Sequence, residues 1–152
     1  MSYVQRVLQP GETIRHIASI HWIVYVPGVS LLVVALAVFA FAEIAAQGKI
    51  LAQIVAGLLG IIGLFLFIRE WFTWWTTEIA VTDRRIIYKE GFIRRNTVEM
   101  HMDKVESVDV EQSILARIFD YGDVIVKGTG TGFEPLKRIS APLDLRNHVT
   151  GV

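Results

Sequence analysis

Four histidines and no cysteine leave this sequence a narrow range of chemistry. Without thiols it has no disulfide, no thiolate nucleophile and no Cys-containing zinc site. His16 and His21 stand five apart, a poor spacing for two ligands on one helical face, and both adjoin an apolar run. They are read either as a metal pair or, better, as two interfacial rings. His101 lies between Glu99 and Asp103; on a strand, residues i, i+2 and i+4 point to one side. That trio is either a solvent-facing polar face or a weak cation or pH-sensitive contact. "GTGTG", Gly128 to Gly132, has the glycine content of a phosphate cradle. Such a cradle runs into a helix N-terminus or a Lys-Ser/Thr pair, whereas Phe133-Glu134-Pro135 follow here. It is read as a hairpin loop. No catalytic residue set, metal site or cofactor is expected, and the chain is not read as an enzyme.

The cations are more suggestive. Arg84, Arg85, Lys89, Arg94 and Arg95 fall close together, and residues 76–98 carry a net charge of +2. Residues 99–123 carry −5, with seven acids against Lys104 and Arg117. The second half is therefore polarised, although the whole chain is formally neutral. No global field favours nucleic acid, and none is expected as a partner. A basic patch near anionic lipid gains about 1 kcal/mol per cation; ordinary solvated arginines are the alternative.

The elements that must position these groups begin with two apolar runs. The chain is 53% hydrophobic, with a mean hydropathy of +0.46. Ile23 to Ala42 and Ile50 to Ile68 each lack a charge and are long enough to cross a hydrocarbon core of about 30 Å. Two spans are predicted, at 23–42 and 50–70, joined by a short loop at 43–49. "AFAE" at Ala40 to Glu43 mimics a signal cleavage site, but the run before it exceeds an h-region of about 7–15 residues. Ala52, Ala56 and Gly60 recur at i, i+4 and i+8, widened by Gly57 and Gly63. Such a stripe lets a second helix approach closely, within the hairpin or between copies. Trp71, Trp74 and Trp75 share one helical face; with Arg69 at one span and Trp22 and Tyr25 at the other, they are predicted to mark the membrane–water interface. Arg6, Arg15, Arg69, Arg84 and Arg85 flank the spans on one side, and Lys49 alone lies in the loop. Both termini are thus expected in the cytoplasm, at a bacterial inner membrane.

Beyond Thr76 the period changes to two. Ile79 and Val81 alternate with polar neighbours. "RIIYKEGFIRR" reads as a hairpin around Glu90-Gly91. Val98, Met100 and Met102 alternate with Glu99, His101 and Asp103, and the pattern resumes at Val108 and Val110. "SILARIF" reads as a short helix capped by Ser113, and Pro142 opens another. About seven short strands with a terminal helix are expected within 76–152. That is a small twisted sheet or open barrel with one end covered by the helix, and residues 1–22 form a separate cytoplasmic segment.

The order of elements resembles the YdbS-type bacterial PH-like domain family over nearly the whole chain. The resemblance rests on "LQPGE", on "HW" before the first span, and on "AVTDRRIIYKEGFIRRNTVEMHMDKVESVDVEQSILARIFDYGDVIVKGTG". Asp120 departs from the first Gly of that family's "G-Y-G" turn. The implied architecture is an α+β membrane protein, a two-helix hairpin followed by a PH-like split β-barrel with a short C-terminal helix. PH-like folds bind lipids, peptides or proteins, so the fold leaves the ligand open. By analogy with eukaryotic PH domains, the Thr82-Asp83 turn corresponds to the β1–β2 headgroup loop.

These readings converge on a membrane-anchored binding or scaffold module contacting membrane lipids, a protein partner or itself. The alternative is a small oligomeric membrane component assembled through its hairpin. With Thr76 and Thr77 as the only linker, the domain is expected to lie against the bilayer.

Overall fold

The computed structural model describes residues 3–44, 48–91, 96–129 and 135–151. It forms two compact units, Trp22–Thr73 and Met1–His21 with Trp74–Val152. The first is a helical hairpin of α2 (Val26–Ile44), entered through a 3-10 turn at Trp22–Tyr25, and α3 (Lys49–Thr76). Both helices are long and apolar enough to cross a membrane. Their large side chains point outward: Leu36 and Ile61 are each 69% exposed, and Phe41 74%. What α2 and α3 bury within this unit is small, namely Gly28, Ala35, Ala42, Ala56 and Gly63, and the 3-10 turn adds Val24.

The second unit holds seven strands among the described residues, in two antiparallel sheets. One has the order β1 (Ile14–Ala18), β2 (Glu78–Thr82), β3 (Arg85–Glu90), β4 (Asn96–His101); the other is β5 (Val105–Glu111), β6 (Tyr121–Gly128), β7 (Leu136–Ser140). Ile79, Val81 and Ile86 from the first sheet meet Val124, Val126, Leu136 and Ile139 from the second, and Leu145 of α5 (Pro142–Thr150) joins the same core. Removing such side chains from water stabilises the fold by about 1.5–3 kcal/mol each. This is the expected split barrel closed by a C-terminal helix.

The strand count differs from the sequence reading in where the strands come from. Six strands follow Thr76, and the seventh, β1, comes from the segment assigned to an independent N-terminus. β1 pairs with β2. The chain then turns to the other sheet: Ile20 bridges Ile139, His21 N–H donates to Arg138 O (2.7 Å), and Ser140 N–H donates to Ser19 O (3.0 Å). The hairpin is thus an insertion between the first two strands. α1 (Tyr3–Val7) covers the outer face of the first sheet, where Val4, Ala80 and Ile87 form a second core. That is why β2 is buried on both faces instead of alternating.

Other local readings agree with the structure. Gly91 has φ +83° after β3, and Glu90 pairs with Asn96 of β4; the second arm read at "FIRR" lies outside the described residues. Ser113 accepts from Ala116 N–H (3.2 Å) at the start of α4 (Ile114–Ile118). The strand continuing to Asp103 does not form. β4 stops at His101, and a 3-10 turn at Met102–Lys104 carries the chain to the other sheet. Gly128 permits that corner, because a Cβ there would lie 2.6 Å from Lys104 O.

Candidate functional site

Two sequence motifs separated by the hairpin build one buried cluster. "LQPGE" folds as a turn in which Glu12 N–H donates to Gln9 O (3.0 Å), with Pro10 leading and Gly11 at φ +78°. Only a residue tolerant of positive φ fits that third position. The turn delivers the Glu12 carboxylate to Arg85, which donates from Nε to Oε1 and from Nη2 to Oε2, each at 2.9 Å. Gln9 N–H (2.8 Å) and Thr82 Oγ1–H (2.8 Å) also donate to Glu12. Arg85 gives its remaining bonds to Glu99 (2.7 Å) and Val7 O (2.8 Å).

"TDRR" positions the other half. Thr82 Oγ1 accepts from the N–H groups of Arg84 (3.2 Å) and Arg85 (3.0 Å), closing the β2–β3 turn. Asp83 and Thr13 lock the two motifs together. Thr13 N–H donates to Asp83 Oδ1 (2.9 Å), and Asp83 N–H to Thr13 O (3.1 Å). The Glu12 side chain is fully buried and that of Arg85 9% exposed. Hydrogen bonding from Arg85 is the main reason that the Glu12 carboxyl is held down to about 2, against the opposing effect of burial. The Arg85 guanidinium is raised in turn, chiefly by Glu12. A carboxylate so acidic and so fully bonded is no general base near neutral pH. The cluster is a structural tie.

Of the cations read as a basic patch, the described residues are Arg84, Arg85 and Lys89. Arg85 is withdrawn into the tie. Lys89 Nζ is 3.4 Å from Glu78 and 5.7 Å from the Tyr3 ring centroid. Arg84 is exposed. Arg94 and Arg95 lie outside the described residues, as does most of "GTGTG". The Thr82–Arg85 turn also joins β2 to β3, not β1 to β2, once the N-terminal strand is counted.

The histidines pair differently from their spacing. His16 on β1 stacks on His148 of α5, with ring centroids 4.6 Å apart, and His21 stacks on Tyr121 at 5.3 Å. Stacked rings direct their in-plane lone pairs side by side, so His16 and His148 do not converge on one ion. Burial and the His148 ring lower the His16 pKa, and Asp144 opposes them. Glu99 serves Arg85, and Asp103 has left the strand, so the His101 trio does not form. Among the described residues, no group of three or more His, Asp or Glu is placed to hold a metal.

In the hairpin, the stripe works inward. Ala56 is buried, Ala52 and Gly60 are partly so, and a Cβ on Gly60 would lie 4.0 Å from the Ala35 Cβ. The tightest approach is at Gly28 and Gly63, where added Cβ atoms would meet backbone at 2.9–3.2 Å. Gln53 and Lys49 both donate to Glu43 (2.8 and 2.5 Å). Tyr25 packs on Phe67 at 5.3 Å, and Trp22 is exposed. Arg69 donates to Glu70 (2.7 Å), and Trp71 meets Phe72 edge-on. Trp74 Nε1–H donates to Ile20 O (3.1 Å), and Trp71, Trp74 and Trp75 are all exposed, on one face.

The match to known proteins agrees with this architecture. The sequence model described as "Bacterial PH domain" matches residues 19–150. The chain belongs to the bacterial PH domain family. No curated protein and no solved structure matches it. In this bacterial PH domain the matched region begins just after β1, so Glu12, which ties the N-terminal strand to the rest, lies before it. Sequence reasoning missed Glu12 as a partner of Arg85. The signal was present in "LQPGE" and "TDRR", two family-like motifs that each place charge beside a turn.

Proposed function

We propose that this chain is a bacterial PH domain held at the cytoplasmic face of the inner membrane by its helical hairpin, serving as a binding or scaffold module for a protein partner, another copy or lipid. The carrying observation is the outward display of Leu36, Phe41, Ile61 and Phe65 on two helices of spanning length. A core helix of a soluble protein buries such residues. Cleavage after Ala42 would remove β1 and Glu12 and leave Arg85 buried without its main partner, which argues against a signal-peptide role for α2. The distribution of Lys and Arg supports cytoplasmic termini.

Alkaline extraction of membranes tests the anchor: the full chain is expected to stay in the pellet, and release into the supernatant contradicts it. Crosslinking in native membranes, followed by identification of captured proteins and lipids, then tests binding. The oligomer reading is weaker where it uses the Ala56–Gly63 side, which α2 fills; the outward Gly57 face remains available to it.

A further inference from the structure

α4 turns its large side chains outward. Ile114 is 80% exposed, Leu115 63% and Ile118 69%, and Ala116 is the residue of this helix that is buried. A soluble surface seldom shows large aliphatic side chains in so tight a cluster without a partner. Beside them lies a cavity of about 630 Å³, whose walls include Glu111, Gln112, Ser113, Tyr121, Asp123 and Arg138. That volume is within the range of binding clefts. The walls are closely built. Gln112 Nε2–H donates to Tyr121 O (2.8 Å), and a Cβ on Gly122 would lie 2.7 Å from Gln112 Cγ and 2.9 Å from Glu111 O. Glu111 of β5 thus stands directly across from Asp123 of β6. Like charges directly opposite destabilise a sheet, and a cation between them relieves it.

The charges around the aliphatic cluster identify what covers it. Glu111, Asp120 and Asp123 form no ion pair among the described residues, whereas Asp109 is matched by Lys127 (2.6 Å). Arg117 of α4 and Arg138 on the cavity wall stand against them, and Arg138 has interactions of its own. An acidic surround of this kind is repelled by anionic lipid. A two-fold contact between copies would set its carboxylates against one another. A cationic surface is attracted to it. Given the proposed binding module, on which this rests, we infer that α4 and the adjoining cavity dock an amphipathic, cationic segment of a partner protein. The segment's apolar side chains cover Ile114, Leu115 and Ile118, and a Lys or Arg side chain enters the cavity between Glu111 and Asp123.

An amphipathic helical peptide of Leu and Lys, with a benzophenone on its apolar face, is the probe, and its sister has Glu in place of each Lys. The receptor is the full chain in zwitterionic phosphatidylcholine nanodiscs, which favour neither peptide by charge. The expected result is a saturating crosslink of the Lys peptide to residues 114–118, weakened about tenfold by Leu115→Ser, by Glu111→Lys and by the change to the Glu peptide. Both variants alter exposed side chains, and near-UV circular dichroism checks that each is folded. Equal capture of the two peptides, or no crosslink to α4, overturns the site. Benzoylphenylalanine in place of Ile118, Lys137 or Glu106 in native membranes separates the site from the module. An adduct at Ile118 with lipid or with a second copy overturns the cationic protein partner. Protein adducts at Lys137 or Glu106 with none at Ile118 overturn the site and leave the module standing. No adduct at any of the three positions refutes the module itself.

Discussion

Glu12 and Arg85 are joined by two hydrogen bonds of 2.9 Å across 73 positions of sequence, a separation that contains the whole helical hairpin. The pair makes the N-terminal turn and the β2–β3 turn one structural unit. Charges removed from water are tolerated only when paired and fully bonded, and this pair meets that condition through Gln9, Thr82, Glu99 and Val7.

Breaking the pair leaves the other charge buried. Glu12→Ala or Arg85→Ala is expected to destabilise the sheet domain by about 3–5 kcal/mol. Glu12→Leu combined with Arg85→Met should recover much of that loss. Thermal unfolding of the full chain in mild detergent, followed by near-UV circular dichroism, measures both. Equal losses in the single and double variants would contradict the coupling.

Acid should find the same pair. The folded Glu12 carboxyl is held near 2 against an ordinary value of 4.5, so the unfolded chain takes up its proton first. Its contribution, about 3 kcal/mol at about 1.4 kcal/mol per pKa unit, is complete above 4.5 and lost as pH falls towards 2. Wild type should lose stability in that window more steeply than Glu12→Gln. Parallel acid profiles would show that other carboxylates govern it.

Asp120 stands at φ +53°, a conformation costing roughly 1–2 kcal/mol for most L-residues, with Asp among the more tolerant. Asp120→Gly is expected to leave stability unchanged or raise it by up to about 1 kcal/mol, and Asp120→Val to lower it by about 1–2 kcal/mol. Unfolding midpoints of the two variants decide the sign at each.

The hairpin packing can be read covalently. A Cβ at Gly60 would lie 4.0 Å from that of Ala35, within the usual Cβ span of a disulfide, about 3.5–4.5 Å. Ala35→Cys with Gly60→Cys should oxidise within one chain, seen as a reductant-sensitive gel shift at monomer mass. Adding Gly63→Leu, whose side chain meets the Leu32 and Gly28 backbone, should suppress it. Adding Gly57→Leu, whose Cβ would meet nothing within 4 Å among the described residues, should not. Crosslinked dimers in place of the monomer product would favour the oligomer.

Local pattern made some of this legible. The apolar runs, the Gly91 turn, the Ser113 cap and Pro142 at the start of α5 each express a short-range preference, and each element forms where its residues point. Long-range pairing was hidden. "ETIRHIA" is too short and too polar to announce a sheet strand, and only its pairing with β2 makes it one. For the same reason Arg85 looked like a surface cation. Nothing in "TDRR" separates the exposed Arg84 from the buried Arg85, because the deciding partner lies on the far side of the hairpin. Ala80 was equally opaque, since its burial depends on α1.

The central claim is a PH domain built from both flanks of a membrane-crossing hairpin, so both flanks must share one side of the bilayer. Single cysteines at Arg6, Lys49 and Lys137, probed with a membrane-impermeant maleimide in right-side-out and inverted inner-membrane vesicles, test this most directly. The account predicts that Arg6→Cys and Lys137→Cys react only in inverted vesicles, and Lys49→Cys only in right-side-out ones. Reaction of all three positions from the same side, or of Arg6→Cys and Lys137→Cys from opposite sides, would contradict it.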